Sequence, residues 1–180
     1  DRLLHDPTTI KTGNQQPYSV YTPFWRNWNS RSKPAPVEVK LPATKLTPTE
    51  HQALTQLPVI NLPTAKDLGF TWDKPLIFEP GTSAAEQQLL DFCHRSIFEY
   101  DTQRNYPAIS GTSGLSAALK FGTIGIRTVW AATITAMAEA RSDEARAGIT
   151  TWQQELAWRE FYQQALYHFP ILAQGAYRDP

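Results

Sequence analysis

The spacing of apolar and polar positions divides the chain into three stretches. Near the start, Tyr18, Val20 and Thr22 alternate with Ser19 and Tyr21 until Pro23 stops the run, a period of two that predicts an edge strand or strand-like arm. From Asn29 to Phe70 no period holds. Pro34, Pro36, Pro42, Pro48, Pro58 and Pro63 each remove an N–H donor and fix φ, as expected of a long surface linker. Within it, TPTEHQALTQL predicts one short helix starting at Thr47 or Thr49, with Pro48 suited to the first turn.

After Pro80 the period becomes helical. Ser83 and Glu86 have capping-box spacing, and Leu89, Leu90, Cys93, Ile97 and Tyr100 then fall on one stripe. That stripe makes Cys93 a small buried apolar residue rather than a reactive thiol, and His94 a boundary residue. Asn105-Tyr106-Pro107 ends the region, because a residue before proline is pushed out of the α basin. ISGTSGLSAALKFGTIG reads as a glycine-bracketed turn, a short helix over AALK and a stop at Gly122. A helix from Ile126 to Ala140 carries Val129, Trp130, Ile134 and Met137. A break near RSDEARAGI leads to Thr150 or Thr151 as N-cap of a last helix, which Pro170 ends. The fold class is mainly α.

Composition narrows the picture modestly. The chain of 180 residues is 41% hydrophobic and 19% charged, enough for one core plus an appendage, and no apolar run approaches the roughly 20 residues of a membrane span. Lysine plus arginine and aspartate plus glutamate both number 17, so any contact with a polyanion needs a local patch. A lone Cys93 forms no internal disulfide, and His5, His51, His94 and His168 lack metal-ligand spacing. DRLLHDPTTI has no export signal, which makes a cytoplasmic location the expectation.

Two stretches carry candidate chemistry. In WQQELAWREFY, Trp152, Glu155, Trp158, Arg159 and Tyr162 lie within about 60° of one direction on a helix, and Leu166 and Phe169 continue that face. A buried charge must be partnered to offset lost hydration. Either Glu155 and Arg159 pair at i,i+4 with aromatics on their stems, or the face lines a cavity for a flat, hydrogen-bonding ligand. The second stretch is GTSGLS. There Thr112, Ser113 and Ser116 supply hydroxyls, and Gly111 and Gly114 permit close approach. The choice lies between an ordinary helix cap and a phosphate cradle.

Together YSVYTPFWRNW (Tyr18 to Trp28), YDTQRNYP (Tyr100 to Pro107), TSGLSAALKFGTIGIRTVW (Thr112 to Trp130) and WQQELAWREFY resemble the photolyase and cryptochrome family in family order. The nearest type is a class I cyclobutane pyrimidine dimer photolyase of a bacterium. The resemblance implies a fragment: residues 1–29 closing an N-terminal α/β antenna domain, 30–80 an interdomain linker, and 81–180 the first part of a helical FAD- and DNA-binding domain.

Carried onto this sequence, the resemblance has Tyr100, Thr112, Ser113, Gly114, Leu115, Ser116, Trp152 and Arg159 holding FAD. Arg104 meets a DNA phosphate, while Glu155, Trp158, Arg159 and Tyr162 face the lesion, with Glu155 bonded to the pyrimidine dimer and Trp158 stacked on it. Gly114 stands where a bulkier residue is common, and Ala117-Ala118 replaces a more usual proline and aromatic pair. The implied reaction is light-driven dimer cleavage by an electron from excited reduced FAD, in a monomer acting on damaged DNA. No side chain serves as acid or base, and a deazaflavin or folate antenna sits elsewhere in the full-length protein. Photolyases are among the enzymes that extrude their target base. Two alternatives stand: a cryptochrome-type flavin photoreceptor, DASH-type included, and a non-catalytic helical binding module. Glu155 with Trp158 favours repair, since (6-4) photolyases and animal-type cryptochromes usually differ at the glutamate, although DASH-type proteins share it.

Overall fold

A computed structural model describes residues 3–38, 45–58 and 61–175. Pro42 and the linker residues 39–44 and 59–60 therefore lie outside the described residues. Helices in chain order are α1 (Tyr21–Ser30), α2 (Pro48–Thr55), α3 (Thr82–His94), α4 (Tyr100–Gln103), α5 (Ser116–Phe121), α6 (Ile126–Glu139) and α7 (Asp143–His168). Single 3₁₀ turns occupy Ser96–Glu99 and Pro170–Ala173. The chain divides into one unit of 1–36 with 78–180 and a second of 37–77. Among the described residues no helix is long and apolar enough to cross a membrane.

In the second unit, Thr47 caps α2 as its position beside Pro48 predicts. Its hydroxyl accepts from the Glu50 N–H while the Glu50 carboxylate accepts from the Thr47 N–H, a reciprocal pair that satisfies two donors at the helix start. No residue of α2 is buried.

The first unit corrects the strand-like arm. Tyr21–Ser30 is helical, and the extended pairing nearby is one antiparallel bridge between Lys11 and Pro17. Pro23 falls in the first turn of α1, where an N–H has no intrahelical acceptor to lose. Phe24 and Trp28, four residues apart, are then both fully buried at 1% and 0% exposure, and packing outweighs a five-residue alternation.

Two helix starts are also corrected. The residue before α3 is Gly81 and no side chain caps it, so Ser83 and Glu86 lie inside the helix, out of register for a capping box. The N-cap of the last helix is Ser142, eight residues before Thr150, and its hydroxyl accepts from the Ala145 N–H; Asp143 and Glu144 complement the helix dipole. Thr150 is interior and returns its hydroxyl to the Arg146 carbonyl. On the α3 stripe Leu89, Cys93, Ile97 and Tyr100 are buried with Ala85 and Phe92, whereas Leu90 is exposed. Burial pushes the Cys93 thiol up to about 11, as suits a packing residue. In α6, Val129 and Trp130 are buried, but Ile134 faces out. The short helix over AALK and its stop at Gly122 form as expected, as Ser116–Phe121.

α7 is the central element. A Cβ on Gly148 would lie 2.7 Å from the Ile97 carbonyl oxygen, so glycine lets α7 close onto the 3₁₀ turn that leads into α4. Gln153 donates to the Thr133 hydroxyl at 2.8 Å, tying α7 to α6. Glu160, 1% exposed, accepts from the N–H groups of Leu4 at 2.8 Å and His5 at 3.0 Å and so fastens the N-terminal arm to α7. Residues 1–29, expected to close an α/β domain, thus pack with the helical unit over their described part.

Candidate functional site

The predicted residues lie along α7 and on the two short segments beside it. Helical period puts Trp152, Glu155, Trp158, Arg159 and Tyr162 on one flank of α7, and the flank grades from core to surface. Trp152 is 3% exposed and packs on Phe92 with ring centroids 4.7 Å apart, in the core rather than on an open wall. Glu155, Trp158 and Arg159 are half-buried, and Tyr162 is 64% exposed.

Glu155 pairs with Arg104, fifty-one positions away. The Arg104 Nη1 donates to Glu155 Oε1 at 2.6 Å, a bond between α7 and the C-cap of α4 that no helical spacing anticipates. Glu155 raises the Arg104 pKa through that bond. The guanidinium also lies 5.3 Å from the Tyr100 ring centroid, so Tyr100, Arg104 and Glu155 form one cluster. Tyr100 itself is buried, and burial raises its phenol pKa.

Trp158 has a partner that reading the sequence missed. Tyr21, the first residue of α1, lies parallel to the indole with centroids 3.6 Å apart and planes 9° from parallel. Its hydroxyl donates to the Gln154 carbonyl at 2.8 Å, and its pKa is raised by burial and by the Glu155 charge. Tyr162 flanks the same indole at 5.4 Å and 24°. The aromatic count of α1 was visible in the sequence, but the strand assignment hid which face it would show to α7.

GTSGLS forms a tight turn ahead of α5. Gly114 has φ +62°, and a Cβ there would meet the Gln88 amide nitrogen at 2.3 Å and the Phe78 ring at 2.4 Å. Gln88 donates to the Ser113 carbonyl at 2.6 Å, holding the turn from α3. The Ser113 hydroxyl accepts from the Leu115 N–H at 3.4 Å, while Leu115 is buried and Thr112 and Ser116 are exposed. A groove of about 630 Å³ runs between α5 and α7, lined by Ser116, Leu119, Lys120, Arg159, Gln163 and Tyr167 among others. It joins two hydroxyls, two cations and an amide to apolar walls, a donor set that suits a phosphate-bearing aromatic ligand.

No family model matches the chain. A deoxyribodipyrimidine photo-lyase of Synechococcus sp. is 56% identical over 179 residues, covering 99% of this chain and 37% of the relative. The deoxyribodipyrimidine photo-lyase of Halobacterium salinarum is 42% identical over 93% of this chain and 34% of its own length. The crystal structure of a bacterial class III photolyase from Agrobacterium tumefaciens superposes with a TM-score of 0.74 at 34% identity, over 99% of this chain and 36% of that one. The chain spans about a third of the length of each of these three proteins.

Proposed function

Because this chain is a segment of the photolyase family, similar to deoxyribodipyrimidine photo-lyases over nearly all its length, we propose that the full-length protein carrying it cleaves cyclobutane pyrimidine dimers in DNA under light. The observation that carries the reading is the groove between α5 and α7, where Ser116 of the hydroxyl turn and Arg159 of the aromatic helix, read independently in the sequence, line one cavity.

FAD fits that donor set. When bound, it supplies the electron for dimer cleavage, and the protein binds, orients and excludes water. Thr112 and Ser116 would direct their hydroxyls at its phosphates, with the Gly114 and Leu115 backbone and the Ser113 side chain completing the turn and Lys120 and Arg159 adding positive charge. Tyr100 and Trp152 would shape the site from within the core, since both are buried. Toward DNA, Arg104 would meet a backbone phosphate, Glu155 would accept from the pyrimidine edge, Trp158 would stack, and Tyr162 and Arg159 would flank the extruded bases. The Arg104–Glu155 bond adds a condition. A phosphate that engages Arg104 competes for the guanidinium that holds Glu155, so backbone contact and lesion recognition are linked. A deazaflavin or folate antenna, a cytoplasmic location and a monomeric state complete the proposal. An absorption spectrum of the purified full-length protein tests the cofactor assignment: flavin bands with a further antenna band are expected, and a protein without flavin would refute it.

A further inference from the structure

We propose that Tyr21 is a positioning residue for dimer recognition, a role that rests on the reading of Trp158 as the lesion-stacking ring. The Tyr21 ring lies parallel to the Trp158 indole with centroids 3.6 Å apart, close enough to exclude any other ring from the face it covers. Its orientation is fixed at both ends. The hydroxyl donates to the Gln154 carbonyl, one turn before Trp158 on α7, and the ring meets Phe161 edge-on at 5.8 Å and Phe24 at 6.4 Å. Phe24 follows Tyr21 on α1 and is buried with Trp28, so the position of Tyr21 is set by the core.

The consequence is chemical. An isolated tryptophan on a helix samples several rotamers, and a base that stacks on it must first select one. Tyr21 on one face, with Phe161 edge-on at 5.6 Å, restricts that freedom before DNA arrives. Trp158 stays half-buried, so part of the indole remains open for a base to reach. Residues from the N-terminal segment thereby contribute to lesion specificity although none is assigned a contact with DNA.

The test uses the full-length protein carrying this segment, and measures affinity for an oligonucleotide with one thymine dimer and for its undamaged counterpart. Tyr21→Phe, Tyr21→His and Tyr21→Leu are compared with Trp158→Ala. The ratio of the two affinities should stay near the parent value for Tyr21→Phe, which keeps the ring, and fall by about 3- to 10-fold for Tyr21→Leu, the range of an aromatic pair. Tyr21→His should fall between, and the order Phe above His holds even if the leucine variant does not fold. Undamaged-DNA affinity and flavin content should not change. If Tyr21→His and Tyr21→Leu keep the ratio while Trp158→Ala lowers it, the role of Tyr21 is overturned and that of Trp158 survives. Should Trp158→Ala keep the ratio, the stacking reading itself fails and the inference with it. Equal losses on both DNAs for the Tyr21 variants would mark a general structural role and also refute the proposal.

Discussion

Removing the carboxylate charge from Glu155 should tighten binding to undamaged DNA, an effect opposite to its effect on dimer DNA. In the unbound protein Arg104 is held by Glu155 at 2.6 Å, with side chains 33% and 37% exposed. At that exposure solvent screens the pair, and its strength is about 0.2 to 1 kcal/mol. Glu155→Gln removes the ionic part and frees the guanidinium for a phosphate. Affinity for undamaged DNA should therefore rise by up to about 5-fold, from 1 kcal/mol at 1.4 kcal/mol per decade. Affinity for dimer DNA should fall, because the proposed contact of Glu155 with the pyrimidine edge is weakened. Arg104→Ala should lower both affinities and reduce the salt slope by about 0.9, one phosphate contact. In the Arg104→Ala background, Glu155→Gln should no longer affect undamaged DNA. Fluorescence anisotropy at two salt concentrations on the four proteins of this cycle measures all of these effects. An increase of equal size with and without Arg104 would mean that Glu155 repels DNA directly, and no increase would mean that the pair does not restrain Arg104; either refutes the linkage.

Three further outcomes follow from the same geometry. Thr112→Ala with Ser116→Ala in the full-length protein should weaken FAD binding, each hydroxyl bond to a charged group being worth ~1.5 to 3 kcal/mol; fluorescence titration of flavin checks it. Gly114→Ala puts a Cβ against Gln88 and Phe78 at φ +62° and should lower thermal stability by about 1 to 3 kcal/mol, measured by calorimetry. His5 is held near 4, well below 6.5, by burial and by Lys33 and Arg31, so its neutral form is favoured on folding; stability should be full above about pH 6.5 and fall as pH drops toward 4. His5→Leu should flatten that part of the denaturation-midpoint profile.

What the sequence revealed depended on the distance over which each feature is decided. α5 and its stop at Gly122, the helix from Ile126 and the capped start at Thr47 were legible because caps and a 3.6-residue period act within a turn or two. α1 was not, because five alternating residues fit a strand as well as the edge of an amphipathic helix, and only the burial of Phe24 and Trp28 decides between them. The aromatic helix forms around its motif, yet its N-cap lies eight residues before Thr150, which bonds backward to the Arg146 carbonyl inside the helix instead of capping it. In the site, the residue types were legible and their partners were not. Arg104 meets Glu155, Tyr21 meets Trp158, and Glu160 accepts from the arm, each across more than fifty positions, where local spacing carries no information. Glu160 was the least visible: a glutamate in a charged stretch reads as solvated, and only the packed arm makes it a buried acceptor.

Light-driven cleavage of the dimer is the reaction proposed for the full-length protein. Its most direct test is to incubate the purified protein with an oligonucleotide carrying a single cyclobutane thymine dimer, under near-ultraviolet or blue light and in the dark, and to count restored thymines by chromatography. Restoration is expected in light alone, with the dimer but not a (6-4) product as substrate, and with a marked loss in Trp158→Ala at limiting DNA. A flavin-bearing protein that leaves the dimer intact under illumination would contradict it.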